Sequence, residues 1–352
     1  MGNFKKCSIV LFAVCLFLSC KDKEQRFFVD AKTFGMENLK TTKLDGVMMQ
    51  FNDTIWNPIR IEVIDTLLFL RNRSTEHVFD IYNLNTNTKI NECIKIGQGP
   101  NDFVFPQIVQ SMGDNIWIFD RQLTNVKEYT VTDLLKSNIP VPTNRVSLNN
   151  RELRNVAVLS DGVVLASVHS QKRGGFNLYN PTGLCLDSIG NYPKLASGEL
   201  SDIEKLMSFQ SNFVTNLTDR IFLIYANTDL IEVYDFKGKC VNRLHGPDQR
   251  QLKMGLRSVG GVTGAAPVKG ETYFCYFAPI YAGKEVFVSY FGELVEDFKD
   301  ELHKIIVFDW NGKPLRMYEL DTPISDFTVD YHNRIIYAIT KSPEYMIVKF
   351  NY

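Results

Sequence analysis

Apolar and polar positions alternate along most of this chain in short runs, and the runs come in pairs. The clearest pair spans residues 303–320. Ile305, Ile306, Val307 and Phe308 form a first run, Asp309-Trp310-Asn311-Gly312 follows, and a second run begins after it. β-Branched and aromatic residues suit a pleated, half-buried strand. Asn and Gly tolerate positive φ, and an Asp side chain can bond nearby backbone N–H groups. The pattern predicts strand, tight turn, strand.

Five other places carry the same signature, an aromatic ending one strand with a polar residue after it. The full set is Tyr82-Asn83, Tyr129-Thr130, Tyr179-Asn180, Tyr234-Asp235, Phe308-Asp309 and Phe350-Asn351, at intervals of 47, 50, 55, 74 and 42 residues. Four residues past the aromatic stand Gly183, Gly238 and Gly312, whereas Thr86 and Asp133 occupy that place in the first two copies, so those turns must differ. Another apolar run precedes each copy. A β-rich unit of roughly 40–50 residues, repeated, marks a propeller blade. Such blades are four-stranded antiparallel sheets packed around a central channel. The expected fold is all-β: a six-bladed β-propeller.

The sequence stops at Tyr352, just after the sixth aromatic pair, so the sixth blade lacks an outer strand of its own. An exposed edge there would invite aggregation. The segment 44–51, LDGVMMQF, precedes the first blade and is the expected closing strand. The first four blades are expected near 58–97, 103–148, 151–189 and 211–244. Ser201-Asp202-Ile203-Glu204 matches a capping box and predicts a short helix between the third and fourth. Residues 255–264 read as a long Gly-rich loop. Leu294, Phe298 and Leu302, spaced four apart, predict a helical insertion over 293–303.

Residues 1–19 stand apart. Lys5 and Lys6 precede the apolar run 8–18, which is too short to span a bilayer, and Cys20 follows Ser19. This resembles a bacterial lipoprotein signal with Phe17 in place of the usual Leu, and makes Cys20 the expected lipidation site; cleavage by signal peptidase I elsewhere is the alternative. Residues 20–43 are polar and expected to be a tether. Lys21-Asp22-Lys23-Glu24 resembles the charged export signals of Bacteroidetes surface lipoproteins, or is a plain solvated linker. The protein is then exported and lipid-anchored to the outer membrane, on its periplasmic or surface face, touching membrane through the anchor only.

Hydrophobic residues make up 45% and charged residues 22% of the chain, an ordinary globular balance. Without residues 1–19, 37 Lys and Arg face 40 Asp and Glu, a net charge of −3. No basic stripe appears, so nucleic acid is not an expected partner.

IGQGPNDF, IWIFDRQLTNVKEY and IIVFDWNGKPLRMYEL resemble the TolB-like six-bladed propeller lipoproteins of Bacteroidetes, and more distantly NHL-type propellers. Asp102 stands where the family often has Glu before the Phe. The resemblance implies a six-bladed fold and an envelope location, and it implies no established activity. The Gly-x-Gly-Pro segment lacks a Gly-Lys-Ser/Thr ending and recurs in variant form at other blade exits, which points to a structural role.

The five histidines show no metal-ligand spacing, and no Gly-x-Ser-x-Gly elbow exists. No cofactor is expected. The first functional reading is a binding or scaffold module for an envelope protein or glycan. The alternative is a metal-dependent hydrolase of the six-bladed propeller type with its site in the channel, drawing on Glu62, Asn155, Asn212, Asp326 and Asp330, against apolar Tyr276 and Phe277 in another copy. Converging carboxylates would favour the hydrolase; a channel mixing Asn and Arg would favour binding. Within a blade, second-to-third connections and blade exits emerge on one face, so the long segments 190–210, 246–271 and 293–303 share a face. Binding residues concentrate on loops held by a rigid scaffold. Tyr192, Arg257 and Phe298 are therefore the expected ligand contacts.

Overall fold

A computed structural model describes residues 27–352 apart from 74, 75, 171 and 172. The expected signal peptide, Cys20 and residues 21–26 lie outside the described residues. Six sheets form the blades of a propeller. The six repeat aromatics, Tyr82, Tyr129, Tyr179, Tyr234, Phe308 and Phe350, are all buried. Inner strands are Pro58–Ile64, Pro106–Met112, Leu153–Val158, Ser211–Thr215, Tyr273–Ala282 and Asp326–Asp330. Outer strands are Thr88–Lys95, Asn144–Ser147, Cys185–Ile189, Cys240–His245 and Pro314–Ile324 for blades one to five. Val47–Met49 completes blade six, pairing antiparallel with Met346–Asn351 through Ile347↔Met49, Val348↔Met48 and Lys349↔Val47. The ring closes as the missing strand requires.

The hairpin turns repeat in atomic detail. In blade four Asp235 Oδ1 accepts from the N–H of Lys237 at 3.0 Å and of Lys239 at 2.9 Å. Asn180 Oδ1 does the same for Thr182 and Leu184, and Asp309 Oδ1 for Asn311 and Lys313. Gly183, Gly238 and Gly312 take φ of +86°, +82° and +82°. The first two copies differ, as their sequences demand. In blade one Asn87 takes the left-handed position at φ +54°, one residue later. In blade two Thr130 caps a helix, Val131–Lys136, its Oγ1 accepting from Asp133 N at 3.0 Å.

These turns also join blades. A Cβ on Gly183 would lie 2.0 Å from Ser147 O in blade two's outer strand, and one on Gly238 would lie 2.5 Å from Ile189 Cβ in blade three's. Asn242 Nδ2 of blade four donates to Asn311 O of blade five's turn at 2.8 Å. Each turn seats against the preceding blade.

The segment expected as a tether over 20–43 is, from Phe27 onward, part of the fold. Phe28 and Ala31 are buried in the core beneath blade four. Lys32–Thr33 pairs parallel with Cys240–His245, and Lys40–Leu44 pairs parallel with Pro314–Ile324. The segment covers the outer edges of blades four and five before it supplies blade six's last strand. Its polar side chains face water while its backbone satisfies the two edges, which is why composition alone suggested a linker. Buried Glu232 fixes the start: it accepts from Tyr225 OH at 2.6 Å, Tyr234 OH at 2.9 Å and Arg243 Nε at 2.6 Å, and Arg243 Nη1 donates to Val29 O at 2.6 Å.

Two further expectations change. Residues 255–264 fall within a β-hairpin, Met254–Val259 with Val262–Pro267. The expected helix over 293–303 is absent: strand Glu285–Leu294 runs into a turn and Leu302–Asp309 follows. The capping-box helix is present as Asp202–Ser208. Cys93, Cys185, Cys240 and Cys275 are free thiols.

Gly238→Ala should destabilise the protein by about 3 kcal/mol, combining left-handed strain with a clash against packed Ile189. Gly113→Ala, at φ +57° with nothing within 4 Å, should cost only about 1 kcal/mol. Urea denaturation of both variants checks this; equal losses would show that the turn does not clamp the neighbouring blade.

Candidate functional site

The six inner strands enclose a cavity of about 740 Å³ on the axis of the ring. Around one end, each blade places one residue at an equivalent position: Arg60, Gln107, Asn155, Asn212, Phe277 and Asp326. Gln107 Nε2 donates to Asn155 Oδ1 at 2.6 Å, Asn155 Nδ2 to Asn212 Oδ1 at 2.7 Å, and Asn212 Nδ2 to Phe277 O at 2.5 Å. The Arg60 guanidinium lies 4.9 Å from the centre of the Phe277 ring and donates to Asp326 Oδ1 at 3.1 Å. Asp326 Oδ2 also accepts from Ile61 N at 3.0 Å. One polar belt thus ties all six blades.

From the belt the cavity extends to the turns between first and second strands, where Asp65, Gly113, Leu217, Tyr281, Asp330, Tyr331 and His332 line its outer end. Tyr281 and Tyr331 meet edge to face at 5.7 Å between centroids and remain partly exposed. Asp330 holds its own turn, accepting from Asn333 N and Nδ2.

Between the belt and that outer end stands Glu62. It has no hydrogen-bond or ion-pair partner among the described residues. Part of its surface faces the cavity, but the surrounding walls strip it of bulk water. That desolvation pushes its carboxyl from 4.5 up to about 8, with the nearby Asp326 carboxylate adding to the rise. Burial raises Asp326 as well, opposed by Arg60 and the Ile61 N–H.

The sequence-predicted residues divide. Asn155, Asn212 and Asp326 meet in the belt, Glu62 lies further along the cavity, and Asp330 lies at its outer end. Of the copy read as apolar, Phe277 joins the belt while Tyr276 is fully buried, its hydroxyl donating to Gly246 O. Arg60 and Gln107 were not foreseen. A signal existed: Arg60, Gln107 and Asn212 stand 22 residues before Tyr82, Tyr129 and Tyr234, and Asn155 and Asp326 stand 24 before Tyr179 and Phe350. Among the described residues no three His, Cys, Asp or Glu side chains converge as a metal site.

The long connections do share one face. Gly270 N donates to Glu296 Oε1 at 2.6 Å, and Asn227 Nδ2 to Met207 O at 3.2 Å. That is the face opposite the turns lining the cavity's outer end. On it, Tyr192 stacks on Phe209 at 5.4 Å and donates through its hydroxyl to Ser170 O at 2.8 Å. Phe298 packs on Phe274 at 4.5 Å and Phe291 at 5.0 Å. Arg257 stands exposed on the added hairpin. None of these three lines the central cavity.

Glu62 should mark the protein's stability curve. The folded state binds its proton more tightly than the unfolded chain does, so stability falls as pH rises from about 4.5 to about 8 and the loss is complete above that. Glu62→Gln removes the titration. Its stability relative to the parent should therefore rise between pH 4 and pH 9 by on the order of a few kcal/mol. Urea melts across that range check it; a pH-independent difference would place Glu62 in ordinary solvent.

Residues 34–332 match the family described as TolB-like 6-blade propeller-like. No curated protein matches the sequence. Among solved structures, a protein from Bacteroides fragilis aligns over 91% of this chain and 98% of its own, at 13% identity and a TM-score of 0.49. A member of the duf4221 family from Bacteroides vulgatus aligns over 89% and 97%, at 9% identity and a TM-score of 0.48. Raptor from Chaetomium thermophilum aligns over 86% of this chain at 12% identity and a TM-score of 0.47, and this chain spans 28% of its length. With six blades in place and the family match covering most of them, the chain belongs to the TolB-like six-bladed propeller family.

Proposed function

We propose that the protein is an exported, lipid-anchored envelope module that binds a glycan in its central cavity. The cavity itself carries this reading. Its amide belt presents side chains that donate and accept at once, which suits hydroxyl-rich ligands. Tyr281 and Tyr331 offer aromatic surface at the outer end, where a sugar ring can stack. A concave site with a few converging polar groups is the usual form of a small-ligand pocket. The Arg–Asp pair and the amides of the belt are mutually bonded, so the site is preorganised for binding. The metal-dependent hydrolase reading has less support, because the channel's carboxylates are spread along it and Asp326 is paired with Arg60. The anchor rests on Cys20 and the apolar run before it. No helix among the described residues is long and apolar enough to cross a membrane.

Two experiments test the two halves. The mature protein, screened on an array of bacterial glycans, should bind a defined subset, and Ser111→Trp, which fills the cavity from its wall, should weaken that binding at least tenfold with the fold intact by circular dichroism. Undiminished binding by the filled variant would move the site off the channel. Cys20→Ala should shift the protein from the membrane to the soluble fraction after a salt wash, and retention in the membrane would remove lipidation as the anchor.

A further inference from the structure

The cavity is much more acidic than the chain that builds it. Across the whole sequence 40 Asp and Glu nearly balance 39 Lys and Arg. The cavity is lined by four acids, Glu62, Asp65, Asp326 and Asp330, against one base, Arg60, with His332 at the outer end. Arg60 is already committed to Asp326 and to the Phe277 ring. No cationic side chain of the cavity wall is left to answer Glu62.

Glu62 is also unlike the other interior carboxylates. Glu232 has three partners, two tyrosine hydroxyls and an arginine. Asp120 accepts from the N–H groups of Val104, Gln122 and Leu123. Asp229 accepts from Asp248 N and faces His245 at 3.2 Å. Asp326 has Arg60 and Ile61 N. Interior carboxylates are ordinarily bonded because an unpaired one is costly. Among the described interior carboxylates Glu62 alone lacks a partner, and it lines a cavity whose outer end also carries two tyrosines. Carboxylate and aromatic surface together are the chemistry that recognises an ammonium group.

We propose that the central cavity selects a ligand carrying a protonated amine or quaternary ammonium group, with Glu62 as its counter-charge. This rests on the cavity being the binding site, and it narrows the glycan reading to amino sugars over neutral or acidic ones. Without a ligand the Glu62 carboxyl is mostly neutral at pH 7. A bound cation favours its ionised form, so binding displaces a proton from Glu62. The charged groups lining the cavity with Glu62 are Arg60 on its own strand and Asp326 and Asp330 on blade six, with Asp65 and His332 toward the outer end; Arg71 on the next strand stands opposite Arg60 and lies over the Phe105 ring. The inner strand of blade two offers Gln107, Gln110 and Ser111, which are uncharged.

Three probes measured by calorimetry separate the possibilities: a glucosamine tetramer, the N-acetylglucosamine tetramer of equal length, and tetramethylammonium, whose charge does not titrate. At pH 6.5 the glucosamine tetramer should bind at least tenfold more tightly than its acetylated counterpart, and E62Q should bring the two within about twofold. Tetramethylammonium should bind more tightly as pH rises from 6 to 9 in the parent and show no such rise in E62Q, a comparison that removes any part played by His332. Equal binding of the two tetramers, or an unchanged ratio in E62Q, would overturn the charge selection and leave the glycan reading standing. If neither tetramer binds while tetramethylammonium binds through Glu62, the glycan reading fails and the cation site stands. If tetramethylammonium does not bind, or binds E62Q as well as the parent, the inference is wrong.

Discussion

Blades three, four and five depend on one small device, the turn between third and fourth strands that locks each onto the blade before it. A side-chain oxygen of Asn180, Asp235 or Asp309 holds two backbone N–H groups, and a glycine in the left-handed region lets the backbone come close to its neighbour. The approach leaves no room for a Cβ at Gly183 or Gly238. A blade cannot bury both faces alone, so its stability comes from these interfaces. The polar belt adds a second set of inter-blade bonds at the axis. Blades are thus fastened at their outer turns and at their inner strands, and the cavity lies inside a frame fixed at both radii.

The N-terminal segment solves a different problem. An outer strand presents unpaired N–H and C=O groups and is a template for aggregation. Residues 27–44 cover two such edges by parallel pairing, and Val47–Met49 covers a third as a full member of the sheet. The Gly246 exit of blade four is shaped to receive this strap, since a Cβ there would lie 2.2 Å from Phe34 O. One stretch of chain therefore bridges blades four, five and six.

How much of this could be read from the residues depended on how local the cause was. Turn chemistry is local, so the Asn/Asp-x-x-Gly hairpins and the Ser201–Glu204 capping box were visible. The need for a closing strand followed from counting strands. The strap was invisible because Lys40–Leu44 is exposed at four of its five positions and gives no alternation, its role lying in backbone bonds to a distant edge. Leu294, Phe298 and Leu302 suggested a helix through their spacing. The same three residues instead end a strand, pack a turn onto Phe274 and Phe291, and begin the next strand. The Gly-rich 255–264 stretch hid a hairpin because small side chains carry no pattern. In the site, bulges in several inner strands disturb the alternation, so the distance back from the repeat aromatic, 22 or 24 residues, marks five belt positions, and Phe277, 31 residues before Phe308, escapes it.

The cavity and the long-loop face offered rival locations for binding, and their energetics differ. On the loop face Tyr192 and Phe298 spend their contact surface on packing, which leaves Arg257 exposed on a hairpin. In the cavity the polar groups are positioned before any ligand arrives, and Glu62 is desolvated without a partner. Sequences that fold well satisfy local rules throughout, and a group that breaks one at a cost to stability points to a role outside folding. An apolar side chain at position 62 would avoid the desolvation of a carboxylate and add contacts to the wall. The belt needs nothing from Glu62, since its contacts run from Gln107 through Asn155, Asn212 and Phe277 to Arg60 and Asp326. At neutral pH Glu62 holds its proton in the empty cavity, and the proposed cation is what would draw the negative charge from it.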